Sequence, residues 1–336
     1  IKGDGEAHPM LSPNDEFADF ETLQIGNLNL TVVKEDWMLE HEYAREALKQ
    51  GMKMEDSLGT NPYQFGMVGS TDTHTALSAA EEDNYIGKHA GTEPSPERWN
   101  HPMAKFAGRQ YEGYAMAASG YAAVWATNNP RKALFDAMKR KEVYATTGPR
   151  MLVRFWGGWD FVEADANSRL PAAVGYAKGV PMGGDLAAGP DGQAPTFLVA
   201  ALKDPYGANL DRIQIVKGWM DADGNTQEKD YDVAWGDAET RQPGADGELP
   251  PVGDTVDVSN ATWPNTIGDP EMIAVWTDPD FDSAARAFYY LRVIEIPTPR
   301  WTAYDAKRFG VEMAKEVEMT TQERAYTSPI WYTPKG

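Results

Sequence analysis

A carboxylate and an imidazole stand two residues apart at Asp72 and His74, within the small polar stretch 69–75. The run 63–68 directly before them has the composition of a buried strand. Because residues i and i+2 of an extended backbone point to the same side, both side chains can face one ion. Such a pair is a plausible ligand set for zinc, manganese or iron. The alternative is a hydrogen-bonded loop aspartate beside a surface histidine.

The other candidate ligands lie among the remaining histidines of the chain, which has five in all. Glu6 and His8 repeat the same spacing and could share the site, or they could be plain loop residues near the start of the chain. His89 lies in a loop flanked by glycines, which suits either a binding site or an ordinary loop. His41, in an acidic helix, and His101, before a proline, read as surface or structural residues.

Composition excludes several classes of function. The 336 residues carry 51 acids against 31 bases, a net charge of −20, which argues against a nucleic-acid backbone or an anionic lipid surface as partner. There are no cysteines, so disulfides, thiolate zinc sites and a cysteine nucleophile are excluded. A chain without thiols suits an oxidising compartment as well as the cytoplasm, and we lean to the former. No apolar run approaches the ~20 residues of a membrane span, so we expect no membrane insertion.

The pattern of apolar residues changes near residue 150. Before it, periodicity predicts a helix over 36–50 stopped by Gly51, the strand 63–68, a helix after Pro130 and a strand over 143–147. Beyond it, short strand-like runs alternate with turn residues, which indicates an antiparallel sandwich, and 240–266 reads as a long surface loop. We therefore predict an α/β domain over 1–150 and an all-β domain over 151–336. The predicted strands of the second domain are 151–156, 197–202, 213–216, 231–234, 272–276, 288–294 and 327–332.

Several longer blocks of the sequence resemble one large bacterial family, long catalogued as a domain of unknown function and related to the PHP (polymerase and histidinol phosphatase) superfamily of metal hydrolases. These blocks cover residues 6–9, 11–21, 69–74, 82–89, 143–150, 215–219 and 297–301. The resemblance implies a distorted β/α barrel, PHP-like, with two or three metal ions at the C-terminal mouth of its strands. Members of that superfamily hydrolyse phosphate esters.

The resemblance also implies roles for particular residues. Asp72 and His74 match the final Asp-x-His ligand motif of the superfamily, and His8 with Glu6 would correspond to an earlier ligand position. The superfamily opens with His-x-His, and no two histidines here are two residues apart. The early barrel strands are also missing, and Ile1 begins within an element. We therefore expect a partial barrel whose N-terminal portion lies outside this numbering.

These expectations combine into a metal-dependent hydrolase of phosphate esters that uses water activated by divalent zinc, manganese or iron. Its substrate would be a small anion, contacted or protonated by Lys88, His89 and Arg109. Two alternatives remain open. One is a non-catalytic binding or structural protein with a degenerate barrel, and the other is a metal-dependent hydrolase of sulfate esters or amides. The sequence leaves the oligomeric state undetermined.

Overall fold

The computed structural model describes residues 5–22, 26–27, 29–118, 120–245 and 247–335. Over these residues the chain is mainly strand, with few helices. The α-helices are α1 (Ala44–Leu58), α2 (Arg131–Lys139), α3 (Pro171–Lys178) and α4 (Trp301–Phe309). Short 3₁₀ helices occupy Asp36–His41, Glu82–Asn84, Arg98–Asn100, Gly113–Ala115 and Glu163–Asn167.

The strands of the described chain fall mostly after residue 100. Early ones are β1 (Pro102–Phe106), β2 (Arg109–Glu112), β3 (Tyr121–Val124), β4 (Val143–Thr146), β5 (Leu152–Gly158), β6 (Gly179–Pro181), β7 (Asp185–Leu186) and β8 (Thr196–Leu202). Later ones are β9 (Leu210–Met220), β10 (Thr226–Trp235), β11 (Glu271–Thr277), β12 (Ala287–Glu295), β13 (Thr298–Pro299), β14 (Thr320–Thr321), β15 (Arg324–Thr327) and β16 (Ile330–Tyr332).

Two antiparallel sheets face each other across the main core. The larger runs in the order β10-β9-β12-β15-β4-β3, with β16 joined to β12 and to the short parallel strand β7. The smaller runs β11-β8-β5-β6. Phe155 and Phe197 of the smaller sheet pack with Ile215, Tyr289 and Leu291 of the larger one. This arrangement confirms the sandwich-like part of the expected fold.

Strand β12 shows how the sequence directs its two faces. Tyr289 and Leu291 point toward the smaller sheet, whereas Phe288 and Tyr290 point to the opposite face, as the period of two residues requires. On that opposite face they meet Leu48 and Met52 of α1. Because both faces are covered, every residue of β12 is buried. The outer face of the smaller sheet is covered in the same way by residues of α3.

The structure differs from the sequence-based expectations in several elements. The described residues form no closed barrel and nearly all of their strands pair antiparallel, so the expected partial PHP-like barrel is not shown. Residues 63–68 belong to no strand, and Tyr63 lies in a turn. Gly51 does not end its helix, which continues to Leu58 and stops at Gly59 with φ 71°. A Cβ on Gly51 would lie 2.2 Å from Oδ1 of Asn61, so glycine is needed there for close packing.

The predicted helix over 36–50 is divided into the 3₁₀ helix Asp36–His41 and α1, and the other predicted elements agree with the structure. A helix begins after Pro130 and a buried strand follows at Val143–Thr146. Each strand-like run predicted beyond residue 150 overlaps an observed strand. Among its described residues, the stretch 240–266 contains none of these strands. The larger sheet draws β3 and β4 from before residue 150 and its other strands from after it.

Candidate functional site

Two loops bring four of the predicted site residues together. The backbone N–H of His74 donates to the carbonyl of Lys88 at 2.8 Å, which ties the loop around 72–75 to the loop around 87–92. The ammonium of Lys88 forms an ion pair with Oδ2 of Asp72. The imidazole of His89 lies against that of His74, with ring centroids 4.4 Å apart. We call Asp72, His74, Lys88 and His89 the His74 cluster.

Local backbone geometry produces these positions. Asp72 has φ 48°, in the left-handed region that short polar side chains tolerate. Gly87 has φ 105°, and a Cβ there would lie 2.3 Å from the carbonyl oxygen of Thr92, so only glycine fits. The hydroxyl and the backbone N–H of Thr92 both donate to the carbonyl of His89, at 2.7 and 3.2 Å. These contacts hold the His89 turn closed beside His74.

The hydrogen bond of His74 determines which of its nitrogens can act. Nδ1 lies 2.9 Å from the carbonyl oxygen of Asp72. A carbonyl oxygen only accepts, so Nδ1 carries the proton and Nε2 presents a lone pair. Histidines that bind metals commonly donate their second nitrogen to a backbone carbonyl in this way. His74 is therefore oriented to accept a proton or to bind a cation through Nε2.

The His74 cluster fits a metal ion only in part. Two imidazoles in contact can offer nitrogens to one ion, which suits zinc, manganese or iron. However, the Asp72 carboxylate is held by the Lys88 ammonium, a competing cation. Within the described residues, no group of three or more histidine or acidic side chains is arranged to hold a metal ion. The donors present thus amount to a two-histidine site.

Glu6 has a different environment from the one that the sequence suggested. Its side chain is buried and accepts hydrogen bonds from Nε of Arg45 at 3.1 Å, from Nη1 of Arg292 at 3.4 Å and from the hydroxyl of Tyr290. The same arginines hold Asp15. Glu6 therefore belongs to a buried ion network on the outer face of the larger sheet.

His8 and Arg109, the last two predicted site residues, lie in contrasting surroundings. Nδ1 of His8 accepts the backbone N–H of Met10 at 3.1 Å, and its ring lies 5.2 Å from that of Tyr43. Burial lowers the pKa of His8, which favours the neutral imidazole. Arg109 is exposed at the start of β2, in the hairpin that β1 and β2 form. Metal binding by Glu6 and His8, and substrate contact by Arg109, stay predictions.

Sequence reasoning missed a group of buried acids. Glu82, Glu295 and Glu323 line one cavity beside residues 80–83. Burial raises the pKa of Glu82 to about 7, and it raises those of Glu295 and Glu323 well above the usual range. One signal was available, because Glu295 continues the inward-facing alternation of Leu291 and Val293. A charged residue in that register is uncommon unless it has a role.

A family described as a protein of unknown function (DUF3604) has a model that matches residues 1–334 of the chain. No curated protein and no solved structure matches it. Among the described residues, no helix is both long and apolar enough to cross a membrane.

Proposed function

The chain belongs to the DUF3604 family, whose function is unknown, and we propose from the geometry of its site that it takes part in metal-dependent hydrolysis of phosphate esters. The contact between the imidazoles of His74 and His89, beside the Asp72–Lys88 ion pair, carries this proposal. A relationship to the PHP superfamily is part of the same proposal, and it rests on the Asp-x-His spacing of Asp72 and His74.

The proposed roles follow from the contacts of each side chain. His74, through Nε2, and His89 would hold a divalent zinc, manganese or iron ion, with Asp72 as a further ligand. Such an ion lowers the pKa of bound water and neutralises a phosphoryl oxygen. The Lys88 ammonium now binds Asp72, and it would turn to a phosphate oxygen of the substrate. Lys88 would thereby release the carboxylate and position the ester.

The test measures metal binding and hydrolysis of p-nitrophenyl phosphate in the same variants. Substituting His74→Ala or Asp72→Ala should weaken binding of zinc or manganese by more than about tenfold and abolish turnover. His101→Ala is the matched control, because it removes an exposed histidine outside the His74 cluster. Lys88→Met should retain metal binding, since it removes the cation that competes for Asp72, yet it should lower turnover of the anionic ester.

Two results would contradict the proposal. Equal metal content in the wild type and in both His74→Ala and Asp72→Ala would exclude this cluster as the metal site. Absence of metal from every preparation, purified without chelator, would favour the binding-protein alternative. Hydrolysis of a sulfate ester or an amide in place of the phosphate ester would retain the site but change the substrate class.

A further inference from the structure

A cavity of about 310 Å³ lies where residues 80–83 meet the loop 204–208 and the end of β12. This volume is at the lower end of the range for sites that bind small molecules. Its wall carries Glu82, Glu295 and Glu323, together with the rings of Trp263 and Tyr304. None of the residues of the His74 cluster lines it, so it is a separate feature of the molecule.

Glu295 provides the strongest indication that the cavity binds something. The residue is only 1% exposed, and its Oε1 has no hydrogen-bond partner within the described parts of the chain. That oxygen lies 3.3 Å from the position a Cβ would take on Gly207, another residue of the cavity wall. A buried carboxylate oxygen without a donor is costly, and native structures rarely leave one unexplained.

Glu82 and Glu323 add further acceptors on the same wall. Burial favours the protonated form of both carboxyl groups, and the charge of Glu82 adds to this effect at Glu323, so the pair retains a proton. Glu323 also accepts the hydroxyl of Thr147, and Glu82 accepts the backbone N–H of Trp301. A cation in the cavity would replace that proton and allow both carboxylates to ionise. The wall is thus built from groups that a positive charge would stabilise.

Two basic residues, Arg300 and Lys203, lie near these acids but do not line the cavity. Arg300, which faces Glu82, donates to both oxygens of Glu21 at 2.8 and 2.7 Å. Lys203, which faces Glu295, donates to the carbonyls of Asp204 and Gly207 at 3.0 and 2.7 Å. Asp204 also lines the cavity and adds negative charge. Among the described residues that line the cavity, six are acidic and none is lysine, arginine or histidine, and this balance of charge favours an external cation.

The shape and chemistry of the wall select the kind of cation. No three acidic side chains of the described residues are close enough together to hold one metal ion. Aromatic rings are not metal ligands, but they attract organic cations through their π-faces. We propose that this cavity binds a small organic cation with primary ammonium groups, held between Glu295 and the Glu82–Glu323 pair and flanked by Trp263 and Tyr304. The N–H donors of an ammonium group would satisfy Oε1 of Glu295.

Isothermal titration calorimetry on the full chain, without added metal, tests the proposal with 1,4-diaminobutane as the probe. The neutral isostere 1,4-butanediol and magnesium chloride are the comparison ligands. We expect one saturable site for the diamine, at least tenfold weaker in Glu295→Gln and unchanged in Asp191→Asn, which removes an exposed charge elsewhere. Tyr206, 95% exposed at the cavity rim, gives a second variant that should not affect folding, and Tyr206→Ala should weaken binding about two- to fivefold.

Four outcomes would overturn the inference. They are equal binding of the diol and the diamine, tighter binding of magnesium at the same site, unchanged diamine affinity in both Glu295→Gln and Tyr206→Ala, and no diamine binding to the wild type. If Glu295→Gln does not fold, as judged by circular dichroism, the Tyr206→Ala result decides alone. Because the diamine titration itself contains no metal, its outcome is independent of the function proposed for the His74 cluster.

Discussion

Asp15 is held by two arginines in the buried ion network. Arg292 donates to its carboxylate twice, at 2.8 and 2.6 Å, and Arg45 donates once at 2.8 Å. Burial alone would raise the pKa of Asp15, but Arg292 and Arg45 outweigh burial and hold that pKa well below its usual range. The side chains of these pairs are almost completely buried, so solvent screens them little.

Replacing Arg292 and Asp15 together should cost less stability than the sum of the two single replacements. Arg292→Leu leaves Asp15 buried without its main counter-ion, and we expect the free energy of unfolding to fall by about 3–5 kcal/mol. Urea denaturation of Arg292→Leu, Asp15→Leu and the double variant forms a cycle that isolates their interaction. The double variant should lose clearly less than the sum of the two single losses. Simple additivity would show that the two side chains do not stabilise each other.

Individual residues of the His74 cluster could be predicted only in part. The Asp-x-His spacing identified Asp72 and His74, but it assumed an extended backbone. Asp72 instead has a positive φ, and His74 turns back to hydrogen-bond its carbonyl. Lys88 reaches Asp72 from sixteen residues away, and a contact between two loops cannot be inferred from local spacing. Glu6 was misleading for the same reason, since Arg292 lies far from it in sequence.

At the scale of elements, α3 packs unusually closely against the smaller sheet. A Cβ on Gly175 would lie 2.2 Å from the indole of Trp156, which is buried in β5. The helix can approach this closely only because Gly175 has no side chain. Gly175 therefore determines how near α3 lies to the strands.

Gly175→Ala should destabilise the protein although alanine is the better helix former. Alanine gains about 1 kcal/mol of helix propensity, but the clash with Trp156 should cost about 1–3 kcal/mol and leave a net loss. Thermal unfolding followed by circular dichroism measures the difference. Ala177→Gly, at an exposed position of the same helix, is the control and should cost about 1 kcal/mol from propensity alone. A Gly175→Ala variant that melts higher than the wild type would contradict the packing argument.

Strands that are continuous apolar runs beyond residue 150 were predicted well, whereas the segment 63–68 was not. Strands such as β8 and β12 consist of apolar runs bounded by turn residues, which local reasoning detects. The segment 63–68 has the same composition, yet it pairs with no strand, and only Met67 of its residues is buried, against the outer face of the larger sheet. Composition therefore predicts neither the burial nor the strand pairing of this segment, because both depend on distant parts of the chain.

At the scale of the whole molecule, the buried acids and the net charge of −20 both lower the stability of the fold as pH rises. Burial raises the pKa of Glu82 to about 7. Burial, and then the neighbouring Asp15, raise the pKa of Asp230 to about 6. A carboxyl whose pKa is higher in the folded state stabilises the fold while protonated. That contribution is complete below the unfolded-state pKa near 4 and disappears as pH passes 6 to 7.

The protein should therefore be most stable on the acid side of neutrality. Between pH 5 and pH 8 we expect the free energy of unfolding to fall by on the order of 2 kcal/mol. Glu82→Gln should reduce this slope, because the amide does not ionise, and Asp191→Asn should leave it unchanged. Urea titrations at several pH values measure the slope. Well below pH 4 stability should fall again as Asp15, whose pKa is depressed, becomes protonated. Stability that rises from pH 5 to 8 would refute this account.

The buried ion network also constrains the order in which the molecule can assemble during synthesis. Asp15 and Arg292 are separated by 277 positions, and the carboxylate of Glu6 and the hydroxyl of Tyr290 by 284. The ribosome releases the N-terminal segments long before β12 is synthesised. The carboxylates of Glu6 and Asp15 therefore remain exposed to water until Tyr290 and Arg292 are available to bind them. Such distant closures make folding slow. A nascent chain stopped before β12 would leave α1 without Phe288 and Tyr290, which form part of the surface it covers. Chaperones and proteases could bind the exposed apolar residues during that interval.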